Sequence, residues 1–372
     1  MSKSSLLTPV TEGGTKVFVY TDTEVKKKGP AKKKNHSFYN PAMAMNRDIS
    51  ILVVQQLINT KKKTIKVLDG MAASGIRGFR FINELIGDFS VTINDWSKSS
   101  YKLIKENTRH IPLDHHIVSQ ENIHVLLSQI QYDYIDIDPF GSPAVYIDSA
   151  LRSIRNNGII AVSATDTATL CGVYPQVCLR RYNALPLHGS CMHETALRLL
   201  IGFIGRQAGK YDKGIIPVLS YGTDHYFRIH LQVTSGVNQA NQCIEQIKTG
   251  ESSRVPFQNE PYKSFGPVWM GALHNKKFLM DLLQIISLKS LEQVKQIRSL
   301  LQVCEQEALM PPFYYSTTLL SKQFKTSAPP LKELINALEQ KGFFITKTQF
   351  DPTGFKTNAS QNDVDTIFLD IV

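Results

Sequence analysis

Residues 48–57 read Asp-Ile-Ser-Ile-Leu-Val-Val-Gln-Gln-Leu, and their apolar positions fit one broad face of a helix. Beyond them short β-branched runs recur at 64–68, 91–94, 117–119, 134–137 and 158–163, separated by segments of helical length and composition. This alternation predicts an α/β fold, a mainly parallel sheet with helices on both faces. Two further runs, 215–220 and 226–233, flank the turn-like Gly222-Thr223-Asp224 and predict an antiparallel hairpin that closes the sheet edge at seven strands.

A polar connector, Thr234-Ser235-Gly236-Val237-Asn238-Gln239, ends this rhythm and marks a domain boundary. The division expected is a basic N-terminal arm over 1–45, a catalytic domain over 46–235 and a smaller α+β C-terminal domain over 240–372. In the last of these, Pro329-Pro330 open a helix that Gly342 ends. A strand over 343–350 then meets the turn Asp351-Pro352-Thr353-Gly354, an order that resembles a small winged-helix-like module.

With 372 residues, 42% hydrophobic and 20% charged, the chain has the composition of a globular protein of about two domains, not of a disordered chain or a membrane bundle. No spanning segment or secretory signal is read in it, and the compartment expected is the cytoplasm. The formal charge is +10, and the first forty residues hold eight lysines against three acids. The triplets Lys26-Lys27-Lys28 and Lys32-Lys33-Lys34, with Lys61-Lys62-Lys63 further on, point to a polyanionic partner. The five cysteines are odd in number and never spaced as CxxC, so neither a disulfide framework nor a zinc site is expected.

The first strand runs into Asp69-Gly70-Met71-Ala72-Ala73-Ser74-Gly75-Ile76-Arg77-Gly78, an acid followed by small residues that turn into a helix. Its glycines do not have the G-x-G-x-x-G spacing that seats a dinucleotide pyrophosphate, which argues against a nicotinamide enzyme. Asp95, twenty-six positions beyond Asp69, stands where an acid can accept hydrogen bonds from ribose hydroxyls, and Trp96 could flank an adenine. S-adenosylmethionine fits this layout, having ribose and adenine but no phosphate. Asp69 suits its ammonium group, and Arg77 or Arg47 its carboxylate.

The fourth strand ends in Asp138-Pro139-Phe140-Gly141, of the same form as the signature of enzymes that methylate exocyclic amines. Such an amine has its lone pair delocalised into the ring. It becomes nucleophilic when acceptors hold its N–H groups and aim the lone pair at the methyl donor. Asp138 and the Pro139 carbonyl can supply two acceptors, and Phe140 a face on which the base stacks.

The stretch from Phe38-Tyr39-Asn40-Pro41 to Asn46-Arg47-Asp48, the turn Gly70 to Arg77, the motif Asp138 to Pro143 and the segment Ala164-Thr165-Asp166-Thr167 to Cys171-Gly172 together resemble the tRNA guanine-26 N2-dimethyltransferase family. His193-Glu194 and Gly266-Pro267-Val268-Trp269 extend the likeness. The resemblance implies a class I, Rossmann-like methyltransferase domain, S-adenosylmethionine as methyl donor and tRNA as substrate. It also implies a family-specific C-terminal domain. It assigns Arg47, Arg77 and Asp95 to the cofactor and Asp138 to catalysis, with Phe38 and Phe140 on the flipped guanine. Where the family often has an Asp-Ala pair at the adenine, this chain reads Glu121-Asn122-Ile123, and the contact maps to Asn122 and Ile123. Thr165 and Asp166 are candidates for lining the substrate pocket, or for capping the next turn. His193 and Glu194 are read as a buried polar network, and Cys171 and Cys178 as packed thiols. The nearest alternative is an amino-methyltransferase acting on adenine or ribosomal RNA, since pocket polarity selects the base. A catalytically inactive RNA-binding relative is the alternative of another class.

Overall fold

A computed structural model describes residues 6–21, 39–61, 63–110, 116–223, 225–257 and 263–372. Phe38, Lys62 and the two lysine triplets between 26 and 34 lie outside these described residues. The chain divides into two compact units, and neither is a continuous stretch. One comprises Met1–Thr165, His230–Gly236 and Asp281–Arg298; the other comprises Asp166–Ile229, Val237–Met280 and Ser299–Val372.

The first unit opens with a feature absent from the expectations, an antiparallel hairpin of β1 (Leu6–Glu12) and β2 (Thr15–Thr21). Its signal was in the sequence: alternating β-branched and aromatic residues on either side of Gly13-Gly14, with Gly13 left-handed at φ 58°. Helix α1 (Ala44–Thr60) follows, buried on nearly every side rather than along one face. Then come β3 (Ile65–Asp69), α2 (Ile76–Glu84), β4 (Phe89–Asn94), α3 (Lys98–Asn107), β5 (His116–Ser119), α4 (Ile123–Gln129), β6 (Tyr132–Ile137), α5 (Ile147–Ser153) and β7 (Ile154–Ala164). These five strands pair in parallel in the order β5-β4-β3-β6-β7.

A buried ionic network fastens the hairpin. Glu12 accepts from Arg47 Nε and Nη2 at 2.6 and 2.5 Å and from Arg80 Nη1 at 2.9 Å, so β1, α1 and α2 meet at one carboxylate. Burial opposes its ionisation, but the hydrogen bond and charge of Arg47, with Arg80 behind, hold the Glu12 carboxyl below its usual range. The returning segment 281–298 is fastened in the same way. Asp48 accepts from the Glu292 and Gln293 amides at 3.0 and 3.1 Å, and Lys289 Nζ reaches Gln55 Oε1 and the Glu84 carbonyl at 2.5 and 2.6 Å.

Strands β8 (Lys213–Gly222) and β9 (Phe227–Ser235) complete a seven-stranded, mainly parallel sheet ordered β5-β4-β3-β6-β7-β9-β8. The supposed polar connector at 234–239 is a correction: β9 runs to Ser235, Gly236 turns the chain at φ 131°, and the next helix spans Val237–Glu245. Toward the C-terminus a strand Tyr315–Ser316, helices Thr317–Phe324 and Leu331–Gln340, and strands Ile345–Lys347 and Gly354–Thr357 form a three-stranded antiparallel sheet with two helices. That order contains the helix, strand and turn expected over 329–354. The strand expected over 343–350 shrinks to three residues. Its core is Leu320, Leu334, Leu338, Phe355, Val364 and Phe368, all fully buried.

In the second unit Glu194 is buried and accepts from Arg198 at 2.9 and 2.8 Å, Lys356 Nζ at 2.8 Å and the Phe313 amide at 2.9 Å. Burial would raise its pKa, yet Lys356 and Arg198 hold it down to about 2. His193, expected in the same network, is instead exposed. All five cysteines are free and buried. Burial pushes the Cys171 and Cys178 thiols up to about 12, which makes them packing groups rather than nucleophiles. His274, Cys304 and Glu307 bring possible ligand atoms within 4.8 Å of one another. The imidazole is already engaged, with Nδ1 accepting the Ser220 amide at 3.4 Å and Nε2 lying 3.5 Å from Glu307 Oε2.

Candidate active site

In parallel α/β sheets ligands lie beyond the carboxyl ends of the strands, and Asp69, Asp95, Asn122, Asp138 and Thr165 end or follow β3, β4, β5, β6 and β7. After β3 the chain turns through Gly70 to Gly75. A Cβ on Gly70 would stand 2.6 Å from Ile123 Cδ1 and 2.9 Å from the Asp136 carbonyl, so only glycine allows this closeness. Ala73 and Gly75 are left-handed at φ 49° and 82°. The Ala73 amide, turned outward by this conformation, donates to Asp95 Oδ2 at 2.8 Å, while the Ser97 amide donates to Oδ1 at 2.8 Å. Asp95 is therefore held rigidly, with further lone pairs on each oxygen for hydroxyl donors.

Asn94 is a positioning residue that the sequence reading passed over. Its Nδ2 donates to the Gly70 and Glu121 carbonyls at 3.1 Å each, and its Oδ1 accepts from the Glu121 amide at 3.0 Å. One amide thus joins the loops after β3, β4 and β5, and a buried Asn at a strand end ahead of Asp95 was the available signal. Asn122 caps α4 by accepting from the His124 amide at 2.9 Å, and Ile123 is buried behind it. Trp96 is 68% exposed.

Three carboxylates, Asp69, Asp136 and Asp138, surround Arg77. Its Nη2 is hydrogen-bonded to Asp138 Oδ2, its Nη1 lies 3.4 Å from Asp136, and its Nε lies 4.0 Å from Asp69. Nη1 also donates to Asn46 Oδ1 and Ser50 Oγ at 2.8 Å each. Arg77, expected at the cofactor carboxylate, thus pairs with the protein's own acids. Arg47 does the same with Glu12, and also donates to the Asn40 carbonyl at 3.0 Å. Burial pushes Asp69 up to about 7, opposed by Arg77 and reinforced by Asp136 and Asp138. Three acids about one guanidinium leave a deficit of positive charge that a cationic ligand would fill.

Beyond β6, Asp138 is partly exposed and Phe140 is 54% exposed at the end of its turn. Gly141 is left-handed at φ 87°, its amide donates to Thr165 Oγ1 at 2.6 Å, and its carbonyl accepts from the Thr165 amide at 3.0 Å. Asp166 belongs to the second unit, where it accepts both contacts from the Tyr182 hydroxyl at 2.9 Å and one from Arg181 at 3.2 Å; burial raises its pKa.

A seven-stranded, mainly parallel sheet with a glycine turn after its first strand and an acid-proline-aromatic motif after its fourth defines a class I methyltransferase. A sequence model of the N2,N2-dimethylguanosine tRNA methyltransferase family matches residues 14–368, and the chain belongs to that family. Among curated relatives, the tRNA (guanine(26)-N(2))-dimethyltransferase of Thermococcus kodakarensis is 38% identical over 87% of this chain and 90% of its own. That of Pyrococcus horikoshii is 36% identical over 87% and 89%. The solved structure of Trm1 from Pyrococcus horikoshii in complex with S-adenosyl-L-methionine superposes with a TM-score of 0.85 at 33% identity, covering 97% of this chain and 99% of that one.

Proposed function

We propose that the protein transfers methyl groups from S-adenosylmethionine to the exocyclic N2 amine of guanine 26 in tRNA, giving N2-methyl- and then N2,N2-dimethylguanosine. The observation that carries this reading is the Asp138-Pro139-Phe140-Gly141 turn beside an acid-rich cofactor cradle, in a chain that belongs to the dimethylguanosine family.

The residues present fit the cofactor. The cradle at Gly70 admits a close ligand, and the charge deficit around Arg77 suits a molecule bearing a sulfonium and an ammonium. In this reading Asp95 receives the ribose hydroxyls, Asn122 and Ile123 lie at the adenine, and Asp69 faces the ammonium end. Bound S-adenosylmethionine supplies an electrophilic methyl, and sulfur keeps the electron pair of the broken bond. Asp138 and the Pro139 carbonyl accept the two N–H groups of guanine, which turns the N2 lone pair toward the methyl. The proton that N2 loses passes to Asp138, whose partly exposed carboxylate hands it to water. Phe140, and Phe38 from outside the described residues, stack on the flipped base. The basic N-terminal residues and the region after 240 contact the tRNA backbone, and the work is done where tRNA resides, in the cytoplasm. Among the described residues, no helix is long and apolar enough to cross a membrane.

The test is incubation with radiolabelled S-adenosylmethionine and unmodified tRNA, then nucleoside analysis. Label in dimethylguanosine, absent when guanine 26 is replaced by adenine, is the expected result. Label at any other nucleoside overturns the reading.

A further inference from the structure

We propose that Thr165 is a positioning residue that aims the Pro139 carbonyl, and that it governs the first methyl transfer more than the second. This inference rests on the reading of the Asp138-Pro139-Phe140-Gly141 turn given above.

The turn leaves β6 just past its last ladder pair with β7, Ile137 with Val162, and its two ends are held by different contacts. The front end is fixed through a side chain, by Arg77 on Asp138, with Asn46 and Ser50 holding the guanidinium. The rear end is fixed through the backbone. Thr165 stands one residue beyond β7, the parallel neighbour of β6, where Ile137 faces Val162. From there it both accepts the Gly141 amide on Oγ1 and donates its own amide to the Gly141 carbonyl. Gly141 is left-handed, a conformation that glycine adopts without strain, and its two polar backbone groups both meet Thr165. The Pro139 carbonyl sits between these anchors, in a chain whose freedom is already cut by the proline ring.

The two transfers make different demands on it. Unmodified guanine presents two N–H groups, and its lone pair is aimed only when both Asp138 and the Pro139 carbonyl accept. In each transfer the N2 lone pair forms the new N–C bond, sulfur keeps the electron pair of the old one, and one N–H proton is lost. Monomethylguanine has a single N–H left, so one acceptor suffices, and Asp138 is anchored independently by Arg77. Loosening the rear of the turn therefore handicaps the first transfer selectively.

The discriminating variant is Thr165→Val, which removes the Oγ1 acceptor, preserves shape and keeps the backbone bond. Single-turnover rates are measured on unmodified tRNA and on tRNA carrying N2-methylguanosine at position 26, with S-adenosylmethionine affinity and melting temperature measured alongside. We expect the first rate to fall about tenfold or more and the second less than about threefold, on the scale of one lost hydrogen bond. Cofactor affinity should be unchanged, and Thr165→Ser should restore the first rate. Equal loss in both transfers, no loss in either, or failure of the serine to rescue overturns the proposal. If the valine variant does not fold, Thr165→Ala is read by the same rate ratio. Wild-type protein inactive on both tRNAs would instead overturn the functional reading itself.

Discussion

In the mechanism proposed above the Asp138 carboxylate serves guanine and Arg77 at once, and charge is what an amide cannot replace. Asp138→Asn keeps one acceptor but loses the negative charge that opposes positive charge developing on N2. Turnover at saturating cofactor should fall at least about a hundredfold, or about 2.7 kcal/mol of barrier, and cofactor affinity should weaken by less than that, since Asp69 and Asp136 keep their charge beside Arg77. Single-turnover kinetics and calorimetry check both halves, and near-normal turnover would remove the assigned role. Asp69 makes a prediction of opposite character. Burial displaces its pKa from 3.8 to about 7, so between those values the folded protein holds a proton that the unfolded chain has lost. Stability from this group therefore declines as pH rises from 3.8 to about 7 and levels off above it. Asp69→Asn should flatten that decline in urea titrations of the ligand-free protein over the range from about pH 5 to about pH 8, which brackets its raised pKa of about 7. An unaltered pH profile would show that the proton is held elsewhere. The residue types at the site were legible because the chemistry demands them: an acid at a strand end, small residues in a turn, Asp-Pro-aromatic. The protein partners of Arg47 and Arg77 were not, because acids such as Glu12 and Asp136 are brought near them only by folding.

Among the elements, the parallel strands could be read from their β-branched runs, since a strand covered on both faces tolerates little polarity. The hairpin β1–β2 was overlooked although Gly13-Gly14 lies between alternating residues, because the lysines that follow drew the region into a charged arm. Its attachment yields the third prediction. Glu12 is 1% exposed and faces two guanidinium groups, so Glu12→Gln takes the carboxylate partner from buried Arg47, while Arg80 keeps Asp48 and Glu84. Removing one partner of a buried ion pair costs about 3–5 kcal/mol, which equilibrium denaturation would resolve. In the wild type the lowered pKa of Glu12 makes its contribution present above 4.5 and lost as pH falls below it. A variant as stable as wild type would mean that the hairpin adheres by its apolar side alone, through Val17 and Val19.

For the molecule as a whole, the net charge of +10 predicts salt-sensitive tRNA binding. Changing Lys26, Lys27, Lys28, Lys32, Lys33 and Lys34 to alanine should weaken tRNA binding, spare S-adenosylmethionine and flatten the plot of log affinity against log salt. Each lost phosphate contact should lower that slope by roughly 0.7–0.9. Phe38→Ala should weaken binding by about 1–3 kcal/mol, the worth of one stacked base, without changing the slope. A salt titration of both variants beside wild type separates charge from stacking, and an unchanged slope in the six-lysine variant would place the phosphate contacts elsewhere.

The first unit is not finished when its last parallel strand is made. Its remaining pieces, 230–236 and 281–298, come much later in the chain, and the second carries the amides that Asp48 receives and the lysine that reaches Gln55. On a ribosome, this unit must wait until residue 298 has emerged before its last piece is present and Asp48 receives the Glu292 and Gln293 amides. A nascent chain halted at residue 240 should stay protease-sensitive in its first 165 residues, whereas one halted well beyond 298 should resist.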